Sequence, residues 1–359
     1  MKKLGRAFNH LEDLVFFYGS DGVLEAIEHI EEICNDSSSI RMKWDGGLQI
    51  YWGREYVGGP LILTGHNGWA RGSKSTTSDE LYDFIVHQSG KDRENVPDER
   101  KMFAKQFASL FPLFDAATPN DFVGFVYADA LYLSKPHIVD DEYNFHPNHT
   151  GYMVNKDTDL GERISKSELL LVGHAYFDAF GLKDDDQIPL DNFDMFNNTD
   201  ELIVLNPYYS KVKVKVELGD IQSDLYCAAN YIDRFLSPID GVSGFRDYIY
   251  KWVNYTVKTQ SITTFENWIR RQSFISINQQ HKIQQRILDE RAGYDKTCRF
   301  IKLIAYIKNS IIDQLEQNDC EVKAYNPEGW VRYADETKQF GNIKLVPRDK
   351  WIPRLCALS

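Results

Sequence analysis

The segment Lys43-Trp44-Asp45-Gly46 sets a lysine two residues before an Asp-Gly pair, between two apolar runs. Lysine, any residue, aspartate, glycine is a short pattern that composition alone produces in about one chain of this size in ten, so it marks a surface turn as readily as a covalent nucleophile. Its flanks are more informative. Ile40 and Met42 alternate with polar neighbours, Leu48, Ile50 and Trp52 alternate again, and Asp45-Gly46-Gly47 separates the two runs. The spacing predicts strand, tight turn, strand, and a lysine at a strand end can be aimed into a cleft by rigid scaffolding.

The elements that must position this lysine are legible on both sides. Ser20-Asp21-Gly22 opens a run in which Val23, Leu24, Ile27, Ile30 and Ile33 recur at helical spacing, so a helix precedes the first strand. Residues 58–75 read as a strand and a glycine-rich bend, and residues 98–114 as an amphipathic helix with Met102, Phe103, Phe107, Leu110 and Phe111 inward. Further strands are predicted within 121–133, 149–157 and 168–180. Near residue 211, alternation puts Lys211, Lys213 and Lys215 on one face of a strand and Val212, Val214 and Val216 on the other. Those lysines either follow a phosphate backbone or guard a sheet edge. From about 219 to 320 the text changes to long amphipathic helices, a helical insert or subdomain, whose Arg270, Arg271, Lys282 and Arg286 form a solvated face or part of a nucleic-acid clamp. The end returns to a hairpin, with bends at 335–337 and 340–342.

With 359 residues, 43% apolar, the chain can bury a large core and hold one big domain plus an insert or a second domain. No apolar run reaches the roughly 18 residues of a membrane span, and His10, Glu12 and Asp13 interrupt the first one, so a cytoplasmic protein with no membrane partner is expected. Cys34, Cys227, Cys298, Cys320 and Cys356 form no CxxC pair, which argues against a zinc knuckle or a disulfide framework. A net charge of -12 counts against a general nucleic-acid coat but leaves room for a local basic groove.

Taken in order, Lys43-Trp44-Asp45-Gly46, the run 127–133 with Asp129, Glu328-Gly329-Trp330-Val331, and Ile343-Lys344-Leu345-Val346 resemble the motifs of the covalent nucleotidyltransferase superfamily of polynucleotide ligases and messenger-RNA capping enzymes. The opening and ending look like those of phage-encoded ligase-like proteins, which would place the protein in a host cytoplasm. The resemblance spans roughly residues 8 to 180 and 322 to 351, leaving the helical block unmatched.

The resemblance implies an α+β fold: an antiparallel-rich nucleotidyltransferase (ligase adenylation) core over 1–218 and 321–359, a helical insert over 219–320, and no C-terminal OB-fold. It implies an ATP-dependent polynucleotide ligase that forms lysyl-AMP at Lys43, passes AMP to a 5′-phosphate and seals that end to a 3′-hydroxyl. Lys43, Asp45 and Lys344 would be catalytic. Met42, Arg71, Lys74, Asp129, Glu328 and Lys344 would contact the nucleotide, with Tyr152 or the competing Phe177 stacked on its base. Asp129 and Glu328 would hold Mg2+ or Mn2+, and Lys211, Lys213 and Lys215 would touch nucleic acid. Glu12 and Asp13 would lie near the adenine or brace the first helix. Asp129 stands where most members have glutamate. RNA is favoured over DNA, because several RNA ligases also lack the barrel. A compact DNA ligase of the same mechanism, GTP-dependent capping, and a scaffold that keeps the fold without the chemistry are the alternatives.

Overall fold

The computed structural model describes residues 9–87, 96–183, 186–190, 192–259, 261, 263–317, 321–325, 329–332 and 342–348. It runs β1 (Asn9–His10), α1 (Leu11–Tyr18), α2 (Ser20–Asn35), β2 (Ile40–Met42), β3 (Leu48–Arg54), β4 (Ile62–Gly65), α3 (His66–Arg71) and α4 (Ser78–His87). Next come α5 (Asp98–Ser109), α6 (Phe111–Ala117), β5 (Gly124–Tyr132), β6 (His137–Val139), β7 (Glu142–Phe145), β8 (Gly151–Asn155), α7 (Asp159–Ile164), β9 (Leu169–Phe177), β10 (Ile188–Pro189) and β11 (Leu202–Leu205). The helices α8 (Ile221–Leu236), α9 (Phe245–Thr259), α10 (Phe265–Arg270), α11 (Ile277–Asp289) and α12 (Arg291–Leu315) follow, then β12 (Val322–Tyr325), β13 (Trp330–Arg332) and β14 (Ile343–Leu345). The class is α+β, and no helix among the described residues is long and apolar enough to cross a membrane.

The chain divides into two units, the first made of residues 1–42, 209–318 and 329–359, the second of 43–208 and 319–328. In the first, Leu11, Leu14, Val15 and Phe16 of α1 and Val23, Ala26, Ile27, Ile30 and Ile33 of α2 are fully buried. Leu24, predicted inward, is 44% exposed, because the stripe through Val23, Ile27 and Ile30 turns it outward. The long α12 carries Ile301, Ile304, Ile311 and Leu315 on its buried side and packs on α1, α2, α8 and β14. The block from residue 219 is therefore no separate insert: amphipathic helices cover one another's apolar stripes, and these share theirs with the N-terminal helices. Each large side chain buried this way contributes roughly 1.5–3 kcal/mol.

A four-stranded sheet in the order β1-β14-β13-β2 completes the first unit. β1 pairs parallel with β14, His10 opposite Lys344, and β13 runs antiparallel to both its neighbours, Val331 opposite Lys344 and Arg41. The predicted terminal hairpin is present; its bends at 335–337 and 340–341 lie outside the described residues. The lysine-rich strand is not present. Lys211, Lys213 and Lys215 are exposed and Val214 is buried, so the alternation survives, but no ladder pairs the segment. Its backbone is held by side chains instead: Gln314 accepts from the Lys215 N–H and donates to its carbonyl, each at 2.9 Å, and Ser37 Oγ donates to the Val212 carbonyl.

The second unit is built on the sheet β10-β9-β5-β3-β4, antiparallel throughout, with β11 added parallel to β9. Strand periodicity sorts its two faces. Ile50, Trp52, Val126, Ala128 and Ala130 meet Phe107 and Phe114 of α5 and α6, while Tyr51, Phe125 and Phe177 meet Trp69 on the other side. The helix predicted over 98–114 breaks at Leu110, with Pro112 in the first turn of α6 where its missing N–H costs nothing. Its buried stripe is Ala104, Phe107 and Ala108, which leaves Met102 71% exposed rather than inward. The predicted glycine-rich bend is the helix α3, closed by Gly72 in the left-handed region. A smaller sheet, β12-β8-β7-β6, is antiparallel.

Candidate active site

Lys43 is the first residue after β2, and the strands on either side of it do not form the predicted hairpin. Met42 pairs with Trp330, whereas Leu48 pairs with Ala130. Residues 43–47 thus connect two different sheets, and what they need is close contact with new neighbours rather than a two-residue turn. The glycines meet that need. A Cβ on Gly46 would sit 2.3 Å from Cβ of Asp129, and one on Gly47 would sit 2.4 Å from the Pro147 carbonyl oxygen.

Hydrogen bonds fix the rest of the loop. The Gly47 N–H donates to the Ala130 carbonyl at 2.9 Å, the Asp45 N–H donates to the Tyr152 hydroxyl at 2.9 Å, and Asn148 Nδ2 donates to the Gly46 carbonyl at 3.3 Å. Trp44 is buried with its ring 5.1 Å from that of Tyr152. Lys43 itself is half-buried.

Asp129 faces this loop from β5. Its Oδ2 lies 3.1 Å from His174 Nε2, a close contact not aligned as a hydrogen bond, and its Oδ1 is buried without a hydrogen-bond partner among the described residues. Beside it the Tyr127 hydroxyl accepts from Gln49 Nε2 at 2.9 Å; burial and the Asp129 charge push this phenol far above its ordinary range. An orphaned carboxylate oxygen is a costly thing to bury and fits a ligand position. Mg2+ commonly takes one or two protein carboxylates and completes its shell with water and substrate phosphates, so Asp129 suffices as one such donor.

The sequence-predicted residues divide clearly. Asp45, Asp129 and Tyr152 come together around the 43–47 loop in the second unit, and Lys43 is the first residue of that loop. Phe177 is a correction: it is fully buried against Tyr51, Ile62, Trp69 and Phe125 and has no open face for a base. The Tyr152 ring is also buried, between Trp44 and Phe145, so what it gives the loop is its hydroxyl. Lys74 is a second correction. It pairs with Glu55 at 2.6 Å, beyond the end of β3 opposite to Gln49 and Asp129, roughly 20 Å away along the strand. Arg71 closes α3 at the surface. Met42 and Lys344 belong to the first unit, and Glu328 lies outside the described residues. His174 was not foreseen, although a histidine in the apolar run Leu169–Phe177 was a visible signal.

Fold and site together define an α+β protein whose Lys-x-Asp-Gly loop is seated on a buried acidic strand. The chain belongs to a family of unknown function, DUF6267, whose family model matches residues 120–351. No curated protein and no solved structure matches it.

Proposed function

We propose that this protein is an ATP-dependent polynucleotide ligase that works through a lysyl-AMP intermediate. The observation that carries the reading is the seating of Gly46 against Asp129, which brings the first and third motifs of the ligase order onto one wall. In the first step the Lys43 amine, deprotonated, attacks the α-phosphorus of ATP; a P–N bond forms and pyrophosphate leaves. A 5′-phosphate oxygen of the strand then displaces Lys43 and takes the AMP. A 3′-hydroxyl attacks that 5′-phosphorus, forms the phosphodiester and releases AMP. Mg2+ on the phosphates, with Asp129 as one protein ligand, would neutralise charge on the leaving group. Asp45 and Tyr152 hold the loop in place. RNA remains the favoured substrate, on the resemblance alone.

The test is intact-protein mass spectrometry after incubation with ATP and magnesium, beside a Lys43→Ala variant and a GTP control. A mass gain of one AMP that the variant lacks is expected, and nicked RNA and DNA duplexes then separate the two kinds of ligase. Folded, initially unmodified protein that gains nothing from either nucleotide would leave the scaffold reading, which the Asp129–His174 contact favours.

A further inference from the structure

Strand β9 carries one residue more than its neighbour can pair. Tyr127 stands opposite Ala175 and Ala128 opposite Gly173, so His174 between them is the extra residue of a β-bulge. Bulges re-aim a side chain, and this one sends His174 onto Asp129 of β5, with Nε2 and Oδ2 3.1 Å apart. The surroundings hold it there. The imidazole lies 5.0 Å from the Tyr127 ring, and a Cβ on Gly173 would meet the Phe193 ring at 2.5 Å, so the bulge packs where a side chain would not fit.

The contact has the length of a hydrogen bond without the alignment of one. His174 Nε2 is buried with no hydrogen-bond partner among the described residues, and so is Asp129 Oδ1. A buried polar atom left unpaired costs about 1–3 kcal/mol, which a cation seated between Nε2 and Oδ2 would remove for the nitrogen. The spacing also suits shared coordination. Donors about 2.1 Å from one ion and 3.1 Å from each other subtend about 95°, close to neighbouring corners of an octahedron. Tetrahedral donors would stand about 3.4 Å apart.

The nitrogen donor then selects the ion. Mg2+ takes oxygen ligands and gives up its water reluctantly, whereas Fe2+, Co2+ and Ni2+ bind imidazole well and more tightly than Mn2+. The His174 and Asp129 side chains remain 20% and 13% exposed, so water can reach the other positions of the shell.

We infer that Asp129 and His174 hold a resident six-coordinate transition-metal ion of the Fe2+, Co2+ and Ni2+ class, bound without any nucleotide. It is distinct from the Mg2+ that ATP carries under the ligase reading, for which Asp129 Oδ1 stays available. The site stands on the bulge and the contact; only its use in strand joining rests on the ligase reading.

Full-length protein, first stripped with a chelator, is titrated with Co2+ in the absence of nucleotide and followed by calorimetry and visible absorption. One equivalent is expected, with the weak pink spectrum of a six-coordinate ion, and about a hundredfold excess of Mg2+ should fail to displace it. His174→Gln and Asp129→Asn should each weaken binding at least tenfold, since even the loss of an outer partner of a metal ligand costs that much. His137→Gln, which changes an exposed histidine elsewhere in the same unit, should leave it unaltered. A circular-dichroism melt checks folding, and if either site variant unfolds, the wild-type spectrum and Mg2+ competition still decide. No Co2+ bound by wild type, displacement by equimolar Mg2+, the intense blue of a four-coordinate ion, or undiminished binding in folded His174→Gln overturns the inference. Lys43 labelling with ATP and Mg2+, measured separately on the stripped protein, distinguishes the two ideas: adduct in protein that binds no Co2+ sinks only this one, and Co2+ binding without adduct sinks only the ligase.

Discussion

Gly46 and Asp129 touch so closely that no side chain fits between them: the Cβ of an alanine at 46 would lie 2.3 Å from the Asp129 Cβ and 2.9 Å from the Ala130 carbonyl oxygen. Backbone on both sides leaves nowhere for the extra carbon to go. Gly46→Ala is therefore expected to cost about 1–3 kcal/mol, as overpacked sites do, and to move the loop that carries Lys43. Adduct formation should fall by far more than the stability loss explains, measured by ATP labelling next to a urea melt. Normal labelling in this variant would mean that the seating of the loop does not matter to the chemistry.

Tyr152 tests the same loop more gently. Tyr152→Phe removes only the hydroxyl that receives the Asp45 N–H, while the ring stays between Trp44 and Phe145. A loss of about 0.5–1.5 kcal/mol is expected, with a several-fold slower adenylylation. Tyr152→Leu, which also loses the ring, should be much less stable.

Lys74 supplies the contrast. Its partner is an exposed Glu55, and exposed pairs contribute about 0–1 kcal/mol. Lys74→Ala should label with AMP at the wild-type rate, within about twofold. A tenfold loss would show that the side chain leaves Glu55 to reach the nucleotide.

These contrasts show what the sequence could and could not convey. Periodicity located β3, β5, β8 and β9 and the helices from 219 onward, because burial on one face writes itself into the spacing of apolar residues. It could not say which strand pairs with which, so β2 and β3 read as a hairpin although Met42 pairs with Trp330 and Leu48 with Ala130. Lys211, Lys213 and Lys215 had the alternation of a strand and found no partner strand, since alternation reports exposure rather than a ladder. Tyr152 and Phe177 were equal as aromatic residues in strands; only three-dimensional packing shows one reaching the loop and the other sealed in the core.

The buried pair Glu12–Lys308 makes an energetic prediction. Lys308→Met alone strands a buried carboxylate and should cost about 3–5 kcal/mol, whereas Glu12→Leu with Lys308→Met should be near neutral or stabilising. Chemical denaturation of the single and double variants decides it. Equal destabilisation would show the pair to be held by something other than mutual compensation.

His10 gives a pH dependence with a definite sign. Burial and then Arg348 lower its pKa from 6.5 to about 3, so the unfolded chain takes up a proton over a range where the folded one resists it. Stability from the neutral ring is present above about pH 6.5 and is lost as pH falls toward about 3. Glu12 acts in the same direction further down: burial raises its pKa, but Lys308 and Arg348 more than offset this and leave it at about 2. Asp13, raised to about 6 by burial, acts in the opposite sense, its contribution fading as pH rises through that value. Comparing wild type with His10→Asn isolates the ring: the stability advantage of wild type should shrink between pH 7 and pH 4. A difference constant with pH would show that His10 is not held neutral.

The parallel pairing of β1 with β14 also sets an order of events during synthesis. Asn9 must wait for Ile343, and His10 for Lys344, before either backbone finds its partner. At ribosomal speeds that interval is on the order of half a minute. The sheet from β3 to β11 needs only residues 48–205 and can close long before. Meanwhile the charged side chains of α1 remain in water, which is where unpaired Glu12 and Asp13 are cheapest to keep. The strand Asn9–His10 thus acts as a late fastener, and the pairing of His10 with Lys344 exists only in chains extended past Lys344.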